Sequence, residues 1–184
     1  MMHRPPDQSG RATGGSLTTV PGMSDGHETT GMDGAFDEGQ FENAIIRILG
    51  DGGWIEIAPV SEPMGAAGVA AIDEPVHVIS GCNPGYRETD EVNARRHREL
   101  ELRLRKLGPD PSPAVGMSPD RSWVEPSWAV AGLSRKTVCA LGQEFGQVAV
   151  FEVDSDRIRV VRCADSEAVS SRPYCVVESR EAES

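Results

Sequence analysis

A chain of 184 residues is long enough for one domain with a modest core, and its formal net charge of −11 disfavours general binding to nucleic acid or to anionic membranes, so solubility is the plainest meaning of the charge. The four cysteines, Cys82, Cys139, Cys163 and Cys175, have neither Cys-x-x-Cys spacing nor the crowding of a small secreted scaffold. They read as reduced thiols; with no secretion signal and no apolar run of membrane-spanning length, the expected location is the cytoplasm.

Residues 1–35 are rich in Gly, Ser, Thr, Pro and Asp and offer little to bury, which predicts a disordered segment. A single α/β domain is expected over residues 36–162, followed by a mostly disordered acidic tail over 163–184. Within that tail, Tyr174, Val176 and Val177 would allow a short edge strand. Inside the domain, Phe41, Ile45 and Ile48 share a helical face, predicting a helix over Asp37–Leu49 that stops at Gly50. Trp54–Ala58 reads as a short strand. Pro59–Glu74 reads as a connection, and Pro75–Ser80 as a strand whose near-continuous apolar run suits the middle of a sheet.

The turn Gly81-Cys82-Asn83-Pro84-Gly85 follows. Thr89 is a good N-cap for a helix over Asp90–Leu107, with Asp90 and Glu91 at its positive end and Arg103, Arg105 and Lys106 at the other. Ala114–Met117 and Trp123–Ala131 are predicted strands. Ser134 caps a helix reaching Phe145, and Gln147–Val153 with Arg157–Val161 forms a hairpin. The expected fold is therefore α/β of the α+β type. It has a mixed, partly antiparallel sheet of about five to six strands with about three helices packed on it.

The residues that could carry chemistry converge on two places. The buried stripe of the Asp90–Leu107 helix, Leu100, Leu104 and Leu107, runs backwards into His97, Arg96 and Asn93, so its inward face turns polar in the first two turns. Those turns start near the end of the Pro75–Ser80 strand, where open α/β sheets usually place ligands. Asn83 and Asn93 could contact a ligand there, or Asn93 could bond back to the Asn83 turn and pin the loop. The fork of Arg96 suits a carboxylate or phosphate, or else a salt bridge to an acid such as Glu125. His97 could carry a proton, although a lone helix histidine is more often packed or exposed.

In the Trp123–Ala131 strand, alternation puts Trp123, Glu125 and Ser127 on one face. Glu125 is the candidate general base and Ser127 a candidate ligand contact, against a plain amphipathic edge strand with a solvated Glu. Ser127 lacks the positioned base that a nucleophile requires. The dispersed histidines offer no metal site, and no cofactor motif is present.

The run Val78-Ile-Ser-Gly-Cys-Asn-Pro-Gly85, then Glu91-Val-Asn93 and Arg96, then Ala114-Val-Gly116, Trp123-Val-Glu-Pro-Ser127 and Phe145-Gly-Gln-Val-Ala-Val-Phe151, resembles a bacterial family known as domain of unknown function 3293. The resemblance spans residues 36–161. It implies a small single-domain bacterial protein and no particular activity. The chain departs from the pattern at Gly81-Cys82, where a larger, often aromatic residue is expected before Asn-Pro; stacking at that turn is therefore not expected.

Two functional readings stay open. In the first, Asn83, Asn93, Arg96, Glu125 and Ser127 line a pocket for a small anionic ligand, such as a nucleotide or a phosphate- or carboxylate-bearing compound. In the second, the same residues lock the Asn-Pro turn of a non-enzymatic regulatory or interaction domain. A nucleic-acid module would need a basic stripe, and the arginines of the long helix are diluted by acids.

Overall fold

A computed structural model describes residues 39–62, 72, 74–108 and 110–179 of the chain. Along the sequence run α1 (Gly39–Glu42), β1 (Ile45–Gly50), β2 (Gly53–Pro59), β3 (Val76–Ile79), α2 (Asp90–Leu107), β4 (Ser112–Met117), β5 (Val124–Ala131), α3 (Arg135–Glu144), β6 (Ala149–Val153), β7 (Arg157–Arg162) and β8 (Ala168–Ser179). The eight strands close into a barrel in the order β1-β2-β8-β7-β6-β3-β5-β4, and every neighbouring pair is antiparallel. The strands fall in the compact unit Met32–Ser184; the segment expected to be disordered, residues 1–35, lies outside the described residues, as does most of the Pro59–Glu74 connection.

This corrects the expected mixed, partly antiparallel sheet of about five to six strands with about three helices packed on it. Among the described residues, two helices exceed a single turn, and the sheet has no free edge. Two segments account for the difference. The helix expected over Asp37–Leu49 is one helical turn followed by a strand. The β-branched Ile45, Ile46 and Ile48 prefer extended backbone, and alternation about Arg47 buries Ile46 and Ile48 together. The expected tail instead carries β8, which pairs with β2 through Tyr174, Val176 and their neighbours and with β7 on its other side. Without β8 the barrel would not close.

The core has two parts. One cluster takes residues from all eight strands and from neither long helix, among them Ile46, Ile57, Val78, Ala114, Ala129, Val153, Ile158 and Tyr174; this is the barrel interior. The other joins Leu100 and Leu104 of α2 and Val138 and Leu141 of α3 to the outward faces of β3, β5, β6 and β7. Leu100 and Leu104 are fully buried, each contributing about 1.5–3 kcal/mol.

Both helices begin as their sequences dictate. Thr89 accepts from the Val92 amide at 3.4 Å and Ser134 from the Thr137 amide at 3.2 Å. The expected hairpin appears as β6 and β7, its turn held by Asp154 Oδ1, which accepts from the Asp156 and Arg157 amides.

Candidate functional site

Strand pairing decides where the polar residues of β5 point. Glu125 lies opposite Gly116, which in turn lies opposite Ile46; Ser127 lies opposite Ala114. Ile46 and Ala114 belong to the interior cluster, so Glu125 and Ser127 face into the barrel near one end. Both are buried. Val124 and Pro126, on the other face, are exposed, and Trp128 packs there against α2.

The turn after β3 reaches this end of the barrel from the side. Asn83 has a φ of 44°, a left-handed conformation that asparagine tolerates better than most residues. Its Nδ2 donates to Glu125 Oε1 at 2.8 Å. Its Oδ1 accepts from Asn93 Nδ2 at 2.9 Å and from the Glu88 amide at 3.1 Å, while its own amide donates to Asn93 Oδ1 at 2.9 Å. The two asparagines thus form a reciprocal pair across the turn, and Glu125 receives the remaining amide donor.

Arg96 does not reach Glu125. Its Nε donates to the Gly81 carbonyl at 2.7 Å and its Nη2 to the Phe145 carbonyl, so it ties the turn to the end of α3. Gln147 Nε2 donates to the Cys82 carbonyl at 2.6 Å from the other side. The Ser80 hydroxyl accepts from the Cys82 amide at 3.0 Å and donates to the Pro126 carbonyl at 3.0 Å. Helix α2 approaches the turn closely, since a Cβ placed on Gly81 would lie 2.9 Å from the Arg96 carbonyl oxygen. A side chain at Gly81 would displace the helix.

His97 lies beside this cluster rather than in it. Its ring stacks on Trp128 at 4.7 Å and 10°, and Trp128 Nε1 donates to the His97 carbonyl at 3.1 Å. Burial pushes its pKa down.

Glu125 carries the main electrostatic feature. Burial pushes its pKa from 4.5 up to about 7, against the lowering effect of the hydrogen bond from Asn83. Opposite it, Gly116 contributes no side chain. The nearest atoms to a Cβ there would be the Trp123 ring at 3.8 Å and Ile46 Cδ1 at 3.9 Å. Glu125 is thus a buried carboxyl held well above the usual carboxylate range, facing a glycine whose missing side chain leaves room for a methyl group in ordinary contact with Trp123 and Ile46.

Sequence reasoning brings Asn83, Asn93, Glu125 and Ser127 into one neighbourhood, and in the structure they are so placed. It missed Ser80 and Gln147, whose partners are main-chain groups or distant residues with no sequence signal. A second polar group on the outer face of the barrel was also missed. There Glu152 accepts from Arg135 at 2.7 and 2.6 Å and from Arg159 at 3.3 Å, and contacts His77 Nε2 at 3.2 Å. The alternation of β3 and β6 would have put His77 and Glu152 on one face had their pairing been known.

Fold and site together define a small closed antiparallel barrel with two helices on one side and a polar cluster built around an inward glutamate. A family model described as "Protein of unknown function (DUF3293)" matches residues 79–150, bearing out the resemblance over that segment. The match takes in every member of the cluster, from Ser80 to Gln147. No curated protein and no solved structure matches the chain.

Proposed function

We propose that the Glu125 end of the barrel binds a small molecule through a carboxylate or phosphate oxygen, with Glu125 as the group that exchanges a proton with it. The observation that carries this reading is the buried, inward Glu125, oriented by Asn83 and raised to about 7. In its neutral form such a carboxyl donates a hydrogen bond to an anionic oxygen; in its charged form it repels one. Ser127 shares its face and supplies a second polar contact. Arg96 holds the turn through two carbonyls rather than reaching Glu125. A cytoplasmic setting belongs to the same reading and is supported by four thiols without a disulfide. No described helix is long and apolar enough to cross a membrane.

The test is a thermal-shift screen of nucleotides, sugar phosphates and amino acids on the wild type, repeated with Glu125→Gln and Glu125→Ala. A ligand at this site loses affinity as pH rises through about 7 in the wild type. It binds Glu125→Gln with little pH dependence, because the amide keeps a donor at all pH values, and binds Glu125→Ala weakly. A ligand whose affinity ignores both substitutions overturns the reading.

One observation favours the second reading, a regulatory or interaction domain in which the cluster braces the turn. The hydrogen bonds made by Asn83, Asn93 and Arg96 all end within the chain. Absence of any hit across the panel supports it.

A further inference from the structure

Two buried thiols outside the Glu125 cluster are held together by the fold. Cys139 stands on α3 and Cys163 follows β7, and both are 1% exposed within the same core cluster. Gly142 follows Cys139 by three residues on α3, a spacing that sets Cβ positions about 5–6 Å apart on one helix face. A Cβ built on Gly142 would lie 2.7 Å from Cys163 Sγ, so the sulfur fills the space of a missing side chain next to Cys139. Both sulfurs belong to the one buried cluster that joins α3 to the end of β7. The backbone fixes this seat: the Cys163 amide donates to the Val148 carbonyl at 2.9 Å, and the Cys163 carbonyl accepts from Gln143 Nε2 of α3.

The two sulfurs differ in character. The neighbouring Cys163 thiol holds the Cys139 thiol below its ordinary range against its burial, with help from Ser166 and from Arg135 one turn earlier on α3. Cys163 is pushed up by the same contact and by burial. One sulfur is disposed to attack an oxidant and the other to hold its proton until a second step.

We infer that Cys139 and Cys163 form a redox-modification site, converted by a peroxide to an intramolecular disulfide that clamps α3 to the end of β7. In the first step the Cys139 thiolate attacks one peroxide oxygen, the O–O bond breaks, and the departing oxygen takes a proton and leaves as water or an alcohol. Cys139 is left as a sulfenic acid. In the second step the Cys163 sulfur gives up its proton and attacks the Cys139 sulfur. The S–S bond forms, the S–O bond breaks, and hydroxide leaves with that proton as water. The two thiols together supply the two electrons that reduce the peroxide. Both sulfurs are buried, so the reaction waits on local opening around α3 and is slow.

The test uses the full chain in native buffer with hydrogen peroxide, followed by alkylation, intact-mass measurement and peptide mapping. The expected result is loss of the mass of two hydrogens and a linked peptide joining Cys139 to Cys163, retained in the Cys82→Ser, Cys175→Ser double variant. In Cys163→Ser the link is absent and a sulfenic acid on Cys139 is trapped by dimedone. The wild-type map decides by itself if that variant does not fold. Recovery of both cysteines as free alkylated thiols, linkage to Cys82 or Cys175 instead, or a link that forms only in urea overturns the inference.

Discussion

Asn83 Nδ2 donates to Glu125 Oε1 across 2.8 Å, joining a turn at the end of β3 to the inward face of β5, forty-two residues further along the chain. Asn93 holds Asn83 by two hydrogen bonds of 2.9 Å, so the first turns of α2 orient the carboxyl through an intermediary. Removing Asn83 takes away the donor that lowers the Glu125 pKa while most of the burial remains. Asn83→Ala is therefore expected to raise that pKa further above 7 and to cost about 1–3 kcal/mol of stability, seen in a carboxyl titration and in urea unfolding.

Glu125 also sets a pH dependence of stability. Its folded pKa, about 7, lies above its ordinary value of 4.5. Between those values the native state holds a proton that the unfolded chain has released, so stability falls as pH rises and levels off above 7. The full effect is on the order of 3 kcal/mol. Glu125→Gln is expected to remove this dependence and to melt higher than the wild type at pH 8, in thermal melts across that range.

Two glycines separate close packing from ordinary van der Waals contact. At Gly81 a Cβ would meet the Arg96 carbonyl oxygen at 2.9 Å and its carbon at 3.2 Å, both rigid backbone. Gly81→Ala is expected to push α2 away from the turn and destabilise the protein by about 1–3 kcal/mol. At Gly116 nothing comes closer than 3.8 Å, so Gly116→Ala should fold with stability near that of the wild type. Chemical denaturation of the two variants side by side checks the contrast.

On the outer face, Glu152 is buried among Arg135, Arg159 and His77. Glu152→Ala leaves these groups without their shared acceptor and is expected to cost about 2–3 kcal/mol, below the usual range for a fully buried pair because Arg135 is partly solvated. Equilibrium unfolding measures it.

How much of this was legible in the sequence depends on the range of the interactions. Helices α2 and α3 were, because Thr89 and Ser134 cap them locally and their apolar spacing is helical. The hairpin of β6 and β7 was legible for the same reason. Barrel closure was not, since it rests on β1 pairing with β4 and β2 with β8, contacts that no local pattern encodes. Ile45, Ile46 and Ile48 satisfied helical and alternating spacing alike, and tertiary burial chose the strand. At the site, the bond between Asn83 and Asn93 could be foreseen from a turn beside a helix start. The partners of Arg96 could not, because they are backbone carbonyls rather than the acid Glu125. The alternation of β5 correctly put Glu125 and Ser127 on one face, but only the barrel makes that face an interior.

The most direct measurement is a carbon-13 NMR titration of the Glu125 side-chain carboxyl, assigned by comparison with Glu125→Gln. A midpoint near 7 is expected, moving upward in Asn83→Ala. A midpoint in the ordinary carboxylate range, near 4.5, and unchanged in that variant would contradict the claim that this buried glutamate is the proton-exchanging group of the barrel.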